Sequence, residues 1–129
     1  MAATDKVIPA SLACRIAELA TGTDVAPLVE ARVFRVLTTA GYEQSEIGTM
    51  TGHRACYVGW RLDLLKLIAP AQTALENGDL PVNLASWIAL LSEPNQTLML
   101  ARWLRGDFSG ARHAERYARA IAEDETTQF

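Results

Sequence analysis

The chain has 129 residues, half of them hydrophobic, with 15 acidic and 12 basic side chains and a net charge of -3. That length fits one domain with a sizeable core, and no apolar run approaches the ~18 residues of a membrane span. The N-terminus has no basic segment followed by a long apolar block, which argues against secretion, and Cys14 and Cys56, which form no CxxC pair, fit reduced structural thiols in a cytoplasmic protein.

In chain order, Met1 to Pro9 forms a loose lead-in. Ser11 to Leu19 follows a helical rhythm, with Leu12, Ile16 and Leu19 on one side and Gly22 as a C-terminal stop. Pro27, a residue favoured in a first turn, opens a second helix through Leu28, Ala31, Phe34 and Leu37 to Gly41. From Gly41 to Leu67 the pattern is that of a helix-turn-helix. Ile47 and Met50 mark a short first helix, and in Thr51-Gly52-His53 the glycine supplies the backbone freedom a sharp turn needs. Val58, Leu62 and Leu65, widened by Leu64, give the second helix, Arg54 to Leu65, its apolar stripe. Gly59, a helix-interior glycine, calls for a close approach by DNA backbone or by the preceding helix.

Beyond Leu67 the helical grammar continues. Pro70 opens a helix ending at Asn77-Gly78, Pro81 one through Leu84, Ile88 and Leu91, and Pro94 one through Leu98, Ala101 and Leu104 that Gly106 stops. Ser109 is a good N-cap for a last helix, Gly110 to about Ala122, with Ala114, Ala118 and Ile121 inward. No segment has the alternation of a strand, so the fold class is all-α, a compact bundle of about eight short helices containing the helix-turn-helix, without internal repeat.

Arg54, Ala55, Tyr57, Trp60 and Arg61 fall off the apolar stripe of the second motif helix and are expected to face whatever that helix is presented to. One reading is an ordinary helical hairpin with solvated arginines. The other is a recognition helix, with side chains near its N-terminal end over base edges and arginines on phosphates. Overall acidity is unusual for a nucleic-acid binder, but charge is unevenly distributed. Arg32 to Lys66 holds five basic residues against three acidic ones, Arg102 to Arg119 five arginines against two acids, and Glu123, Asp124 and Glu125 place negative charge at the end. Gln44 and Ser45, opening the first motif helix, could donate to phosphate. His53 suits phosphate or solvent, and Arg112 lies on the arginine-rich last helix with Arg116, Arg119 and His113. His53 and Cys56, three apart, have no second pair of ligands, so no metal is expected. The sequence contains no P-loop, no GxSxG and no HExxH, which argues against an enzyme and against a bound cofactor.

Several segments together resemble the central DNA-binding domain of the ParB family of centromere-binding partition proteins, which includes the KorB-type regulators. PLVEARVFRVL (Pro27 to Leu37) is similar to the family's helix before the motif, YEQSEIGTMTGHRACYVGWRLDLLKL (Tyr42 to Leu67) to its helix-turn-helix, and PAQTALENGDLPVNLASWIALL (Pro70 to Leu91) to the helix pair that follows. Gln96 and DFSGARHAE (Asp107 to Glu115) resemble the end of that domain. Glu43 and Arg54 stand where the family has a capping hydroxyl, an exchange that would cost each helix about 1 kcal/mol.

The resemblance implies an N-terminal segment with one helix (1–23), a ParB-like DNA-binding domain (24–122) and an acidic tail (123–129). Without the family's nucleotide-binding domain, a clamp driven by CTP is not expected. The function implied is specific recognition of a centromere-like site in double-stranded DNA for partition of a plasmid or phage replicon. The expected site residues are Gln44, Ser45, His53, Arg54, Ala55, Tyr57, Trp60, Arg61 and Arg112, with Arg61 on phosphate and Arg54 and Tyr57 setting sequence preference. A homodimer, a ParA-type ATPase engaged through the N-terminal segment, and a nucleoid-associated location without membrane contact complete the expectation. The alternatives are a KorB-type transcriptional repressor and a protein-interaction module that has lost DNA binding.

Overall fold

The computed structural model describes residues 6–21 and 25–127. Eight α-helices account for most of them: α1 (Ala10–Ala17), α2 (Pro27–Thr39), α3 (Gln44–Thr51), α4 (Ala55–Asp63), α5 (Ala69–Glu76), α6 (Val82–Ile88), α7 (Glu93–Arg105) and α8 (Ala111–Thr126). Two 3-10 turns, Glu18–Ala20 and Leu64–Lys66, extend α1 and α4, and no strand occurs among the described residues. The chain divides into two units at Leu62/Asp63.

The first unit is built around Phe34, which is fully buried together with Leu28, Ala31 and Leu37 of α2, the four residues that the helical spacing places on one face. Against them pack Ala13, Ala17 and Ala20 of the first helical segment, Ile47 of α3 and Val58 of α4, with Met50, Tyr57 and Leu62 at the margin. The buried side of α1 is therefore not the one expected: Leu12 and Leu19 are exposed and the alanines face inward. Small side chains let α1 approach α2 closely, an advantage that hydropathy alone does not register. The expected stop at Gly22 lies outside the described residues. Ahead of α1 the chain is fastened to the motif, with Val7 N donating to Ala40 O (2.8 Å), Tyr42 Oη to Ile8 O (2.9 Å) and Lys6 Nζ to Glu46 Oε1 (3.1 Å).

In the second unit α8 packs mainly along α6, through Ala114 and Ala118, both fully buried. Ile121 is half-buried, as its place at the end of that stripe allows. Leu64, rather than Leu65, is the fully buried residue after α4, because the helix tightens into a 3-10 turn there. Helix α7 also differs from expectation. Leu98, Ala101 and Leu104 are exposed, whereas Gln96, Met99 and Leu100 are buried. Gln96 turns this face inward because its amide serves three backbone groups at once: Oε1 accepts from Ile68 N (2.8 Å), and Nε2 donates to Leu91 O (3.0 Å) and Lys66 O (3.2 Å).

The acidic stretch expected as a tail belongs to the last turns of α8. Glu125 accepts hydrogen bonds from Ser92 N (3.0 Å), Ser92 Oγ (2.8 Å) and Asn95 Nδ2 at the start of α7. A carboxylate is favoured at that helix end. Ser109 does not cap α8. Gly110 holds the N-cap position, while the Ser109 amide donates to His113 Nδ1 (3.1 Å).

Gln96→Leu should leave three backbone groups unserved, the buried Leu91 carbonyl among them, and lower unfolding free energy by about 2 kcal/mol in urea titration. The bonds from Asn95, and then from Ser92, hold the Glu125 pKa below its ordinary value against the opposing effect of desolvation. Its contribution to stability is thus complete above the unfolded-state pKa and lost as pH falls through the lowered one. The Tm difference between the natural chain and Glu125→Gln should be clear at neutral pH and vanish in acid.

Candidate nucleic-acid interface

The motif is α3, a turn over residues 52–54, and α4. Gly52 ends α3 in the left-handed region (φ 79°), a conformation that glycine adopts without steric penalty. Its neighbour in the packing is Gly48, whose position the sequence does not advertise. A Cβ there would lie 2.5 Å from His53 O and 3.3 Å from Arg54 C, so the turn folds back on the α3 backbone at van der Waals distance. His53 N accordingly donates to Gly48 O at 2.9 Å. At the other end of α3 no capping hydroxyl is present at Glu43, yet Glu46 Oε1 accepts from Glu43 N at 2.9 Å. The expected capping loss is thereby offset from within the first turn. This bond, and then the one from Lys6, hold the Glu46 pKa below its ordinary value.

Helix α4 presents two different sides. Arg54, Ala55, Cys56 and Trp60 are exposed, Trp60 at 60% of its full area. Trp60 is therefore surface rather than core, although its helical spacing equally suits packing. Gln44 and Ser45 in the first turn of α3 are exposed as well. The Gln44 amide lies over Gly59, where a Cβ would come within 3.0 Å of Gln44 Oε1. The contact is with the end of a flexible side chain, so packing on α3 does not by itself demand glycine there.

Tyr57 and Arg61, expected to face outward, turn inward. Both reach Glu30 of α2, a carboxylate only 4% exposed. Tyr57 Oη donates to Glu30 Oε1 at 2.6 Å, Arg61 Nε donates to the same oxygen at 2.8 Å, and Arg61 Nε lies 3.1 Å from Tyr57 Oη. The Arg61 guanidinium also sits 4.7 Å above the Tyr57 ring. His53 stacks on Tyr57, its ring centroid 4.1 Å from that of the tyrosine and its Nε2 3.5 Å from Glu30 Oε2. Phe34 closes the cluster edge-on to both rings. Burial, and then the bond to Glu30, push the Tyr57 phenol above its ordinary pKa, with Arg61 opposing. A buried carboxylate is costly without partners, and the geometry supplies two donors, one of them the Arg61 cation.

The structure thus brings His53, Tyr57 and Arg61 together around Glu30, and leaves Gln44, Ser45, Arg54, Ala55 and Trp60 on the motif surface. Arg112 lies in the other unit, exposed in the first turn of α8. Glu30 and Gly48 are the residues that spacing arguments pass over. The available signals were an acidic residue on the Phe34 and Leu37 face of α2, and a second glycine inside an eight-residue helix. Both cysteines are free and exposed rather than structural, and no group of metal-ligating side chains forms among the described residues.

A short helix, a left-handed glycine turn and a second helix with an exposed N-terminal half define a helix-turn-helix protein. The chain belongs to the ParB family: the profile described as ParB HTH domain matches residues 23–123. No curated protein matches the chain. Among solved structures, the DNA-binding domain of the chromosome-partitioning protein ParB, complexed to the centromeric parS site, superposes with a TM-score of 0.77 at 24% identity, covering 95% of this chain and 86% of that one. The C-terminally truncated chromosome-partitioning protein ParB from Caulobacter crescentus, also complexed to parS, gives a TM-score of 0.76 at 26% identity over 87% of this chain. This chain spans 56% of that second protein's length.

Gly48 and Gly59 should respond differently to substitution. Gly48→Ala drives a methyl into backbone and should unfold the first unit or cost at least about 3 kcal/mol. Gly59→Ala displaces only the end of Gln44 and should be within about 1 kcal/mol of neutral. Circular dichroism through a thermal ramp separates the two.

Proposed function

We propose that this chain binds double-stranded DNA at a centromere-like site and serves partition of a plasmid or phage replicon. The observation that carries the reading is the exposed side of the turn and of α4, with Arg54 before the helix and Ala55 and Trp60 on it. Its support is membership of the ParB HTH family and likeness to a 26% identical ParB bound to its centromeric parS site. Helix α4 enters the major groove with Arg54 over base edges, where an arginine pairs bidentately with guanine. Ala55 leaves room for close approach, and Trp60 contacts the groove wall. Gln44 and Ser45 lie on the phosphate backbone, and Arg112 adds a further phosphate contact from α8. The acidic balance of the chain makes this a site-restricted rather than a diffuse interaction. A single helix-turn-helix reads one half-site, so the active species is a homodimer or an array on repeated sites. A ParA-type ATPase is the partner that partition requires, engaged by the N-terminal segment.

Selection of bound duplexes from a random pool, at low and high salt and with the mass of the complex recorded, tests the reading. The expected result is one defined motif and affinity that falls steeply with salt. Its genomic position, in repeats beside partition genes or across a promoter, separates partition from a KorB-type repressor. Arg54→Ala should relax preference at one base pair by about 1–3 kcal/mol, whereas Ser45→Ala should weaken all sequences alike. Failure to enrich any motif would instead mark a protein-interaction module.

A further inference from the structure

The Glu30 cluster has a role that packing alone does not require. An apolar side chain at this position would fill the space between α2 and α4 and would cost less to bury than a carboxylate. Glu30 instead forms directional contacts with two residues one turn apart on α4, Tyr57 and Arg61, both through Oε1 at 2.6 and 2.8 Å. Two anchors spaced four residues apart on a helix fix its rotation about its own axis and its position along it. The same contacts engage the Arg61 Nε, leaving that side chain only 18% exposed.

We infer that Glu30 is the positioning residue of the DNA-reading helix: through Tyr57 and Arg61 it sets the rotation of α4 that presents Arg54, Ala55 and Trp60, and it withholds Arg61 from phosphate. The inference rests on the DNA-binding reading above. Glu30 touches no base or phosphate itself. Its effect is on discrimination, the ratio of affinity for the selected site to affinity for a random duplex, because a helix free to rotate loses base contacts while a released arginine gains backbone contacts. A side chain that merely stabilised the fold would lower both affinities in parallel.

The test compares the natural chain with Glu30→Gln, using the duplex recovered by selection and a random-sequence duplex of equal length, across a salt series. Glu30→Gln keeps the shape but removes the charge that pairs Arg61. Discrimination should fall about tenfold, random-duplex affinity should rise, and the salt slope on random duplex should steepen by about 1 as one more phosphate is neutralised. Adding Arg61→Gln to Glu30→Gln should abolish the rise and the extra slope without restoring discrimination. Unchanged discrimination in folded Glu30→Gln overturns the inference, and a fall with no gain on random duplex overturns the restraint placed on Arg61. Should Glu30→Gln not fold, Tyr57→Phe removes one anchor and keeps the ring. It should lower discrimination about threefold, and no change there counts against the inference equally. A natural chain that prefers no sequence refutes the DNA-binding reading itself, and the inference with it.

Discussion

A single buried carboxylate organises the motif. Glu30 lies on the same face of α2 as Phe34 and Leu37, so its placement in the core is dictated by helical spacing and not by any polar environment waiting there. Once buried it must be satisfied, and the donors within reach are those of α4, with His53 of the turn beside them. Removal of one partner from such a group is far more damaging than replacement of the whole group by apolar atoms. The cluster therefore contributes chiefly specificity of arrangement. Apolar contacts from Ile47 and Val58 hold α3 and α4 to the core without directional preference; the bonds to one carboxylate oxygen add direction.

The same principle recurs at the ends of the other helices. Short helices leave many backbone groups without intrahelical partners, and here several are served by side chains from elsewhere in the unit. Glu46 serves the start of α3 from its own first turn, Gln96 of α7 serves Ile68 at the start of α5 and Leu91 after α6, and Glu125 of α8 serves Ser92 before α7. The links from Gln96 and Glu125 each tie separate elements together in one register. Order in these short helices is consequently a tertiary property, as expected where few are long enough to be stable alone.

Helix number, the all-α class and the turn at Gly52 were legible in the sequence, because proline, glycine and apolar spacing each act within a few residues. Helix rotation was less so. In α1 the leucines at 12 and 19 and the alanines at 13, 17 and 20 define two adjacent stripes, and the larger side chains carried the hydropathy signal although close packing selected the smaller. In α7 the buried side is set by Gln96, a polar residue whose partners lie 5 to 30 positions away. The site divides the same way. Arg54, Ala55, Gln44 and Ser45 are exposed as pattern suggests. Tyr57 and Arg61 are off the apolar stripe too, but their partner lies 27 and 31 residues upstream, and periodicity holds no information about it.

Charge also looks different once pairing is known. Some of the acidity that argues against a phosphate-binding surface is paired within the chain: Glu30 with Arg61, Glu46 with Lys6, and Asp107 with Arg105 and Arg102. Hydrogen bonds from Arg105 first, and then from Arg102, help hold the Asp107 pKa below its ordinary value, so that charge is fixed by its neighbours. These contacts engage three carboxylates with four cations and leave net charge unchanged. What they alter is its distribution. Arg54 and Arg112 are exposed and form no ion pair among the described residues. For a ligand as densely charged as DNA, the field close to a contact surface matters more than the sum over the chain, since salt screens charges beyond about 8–10 Å. A net charge of -3 is therefore compatible with an exposed arginine on the surface of each unit.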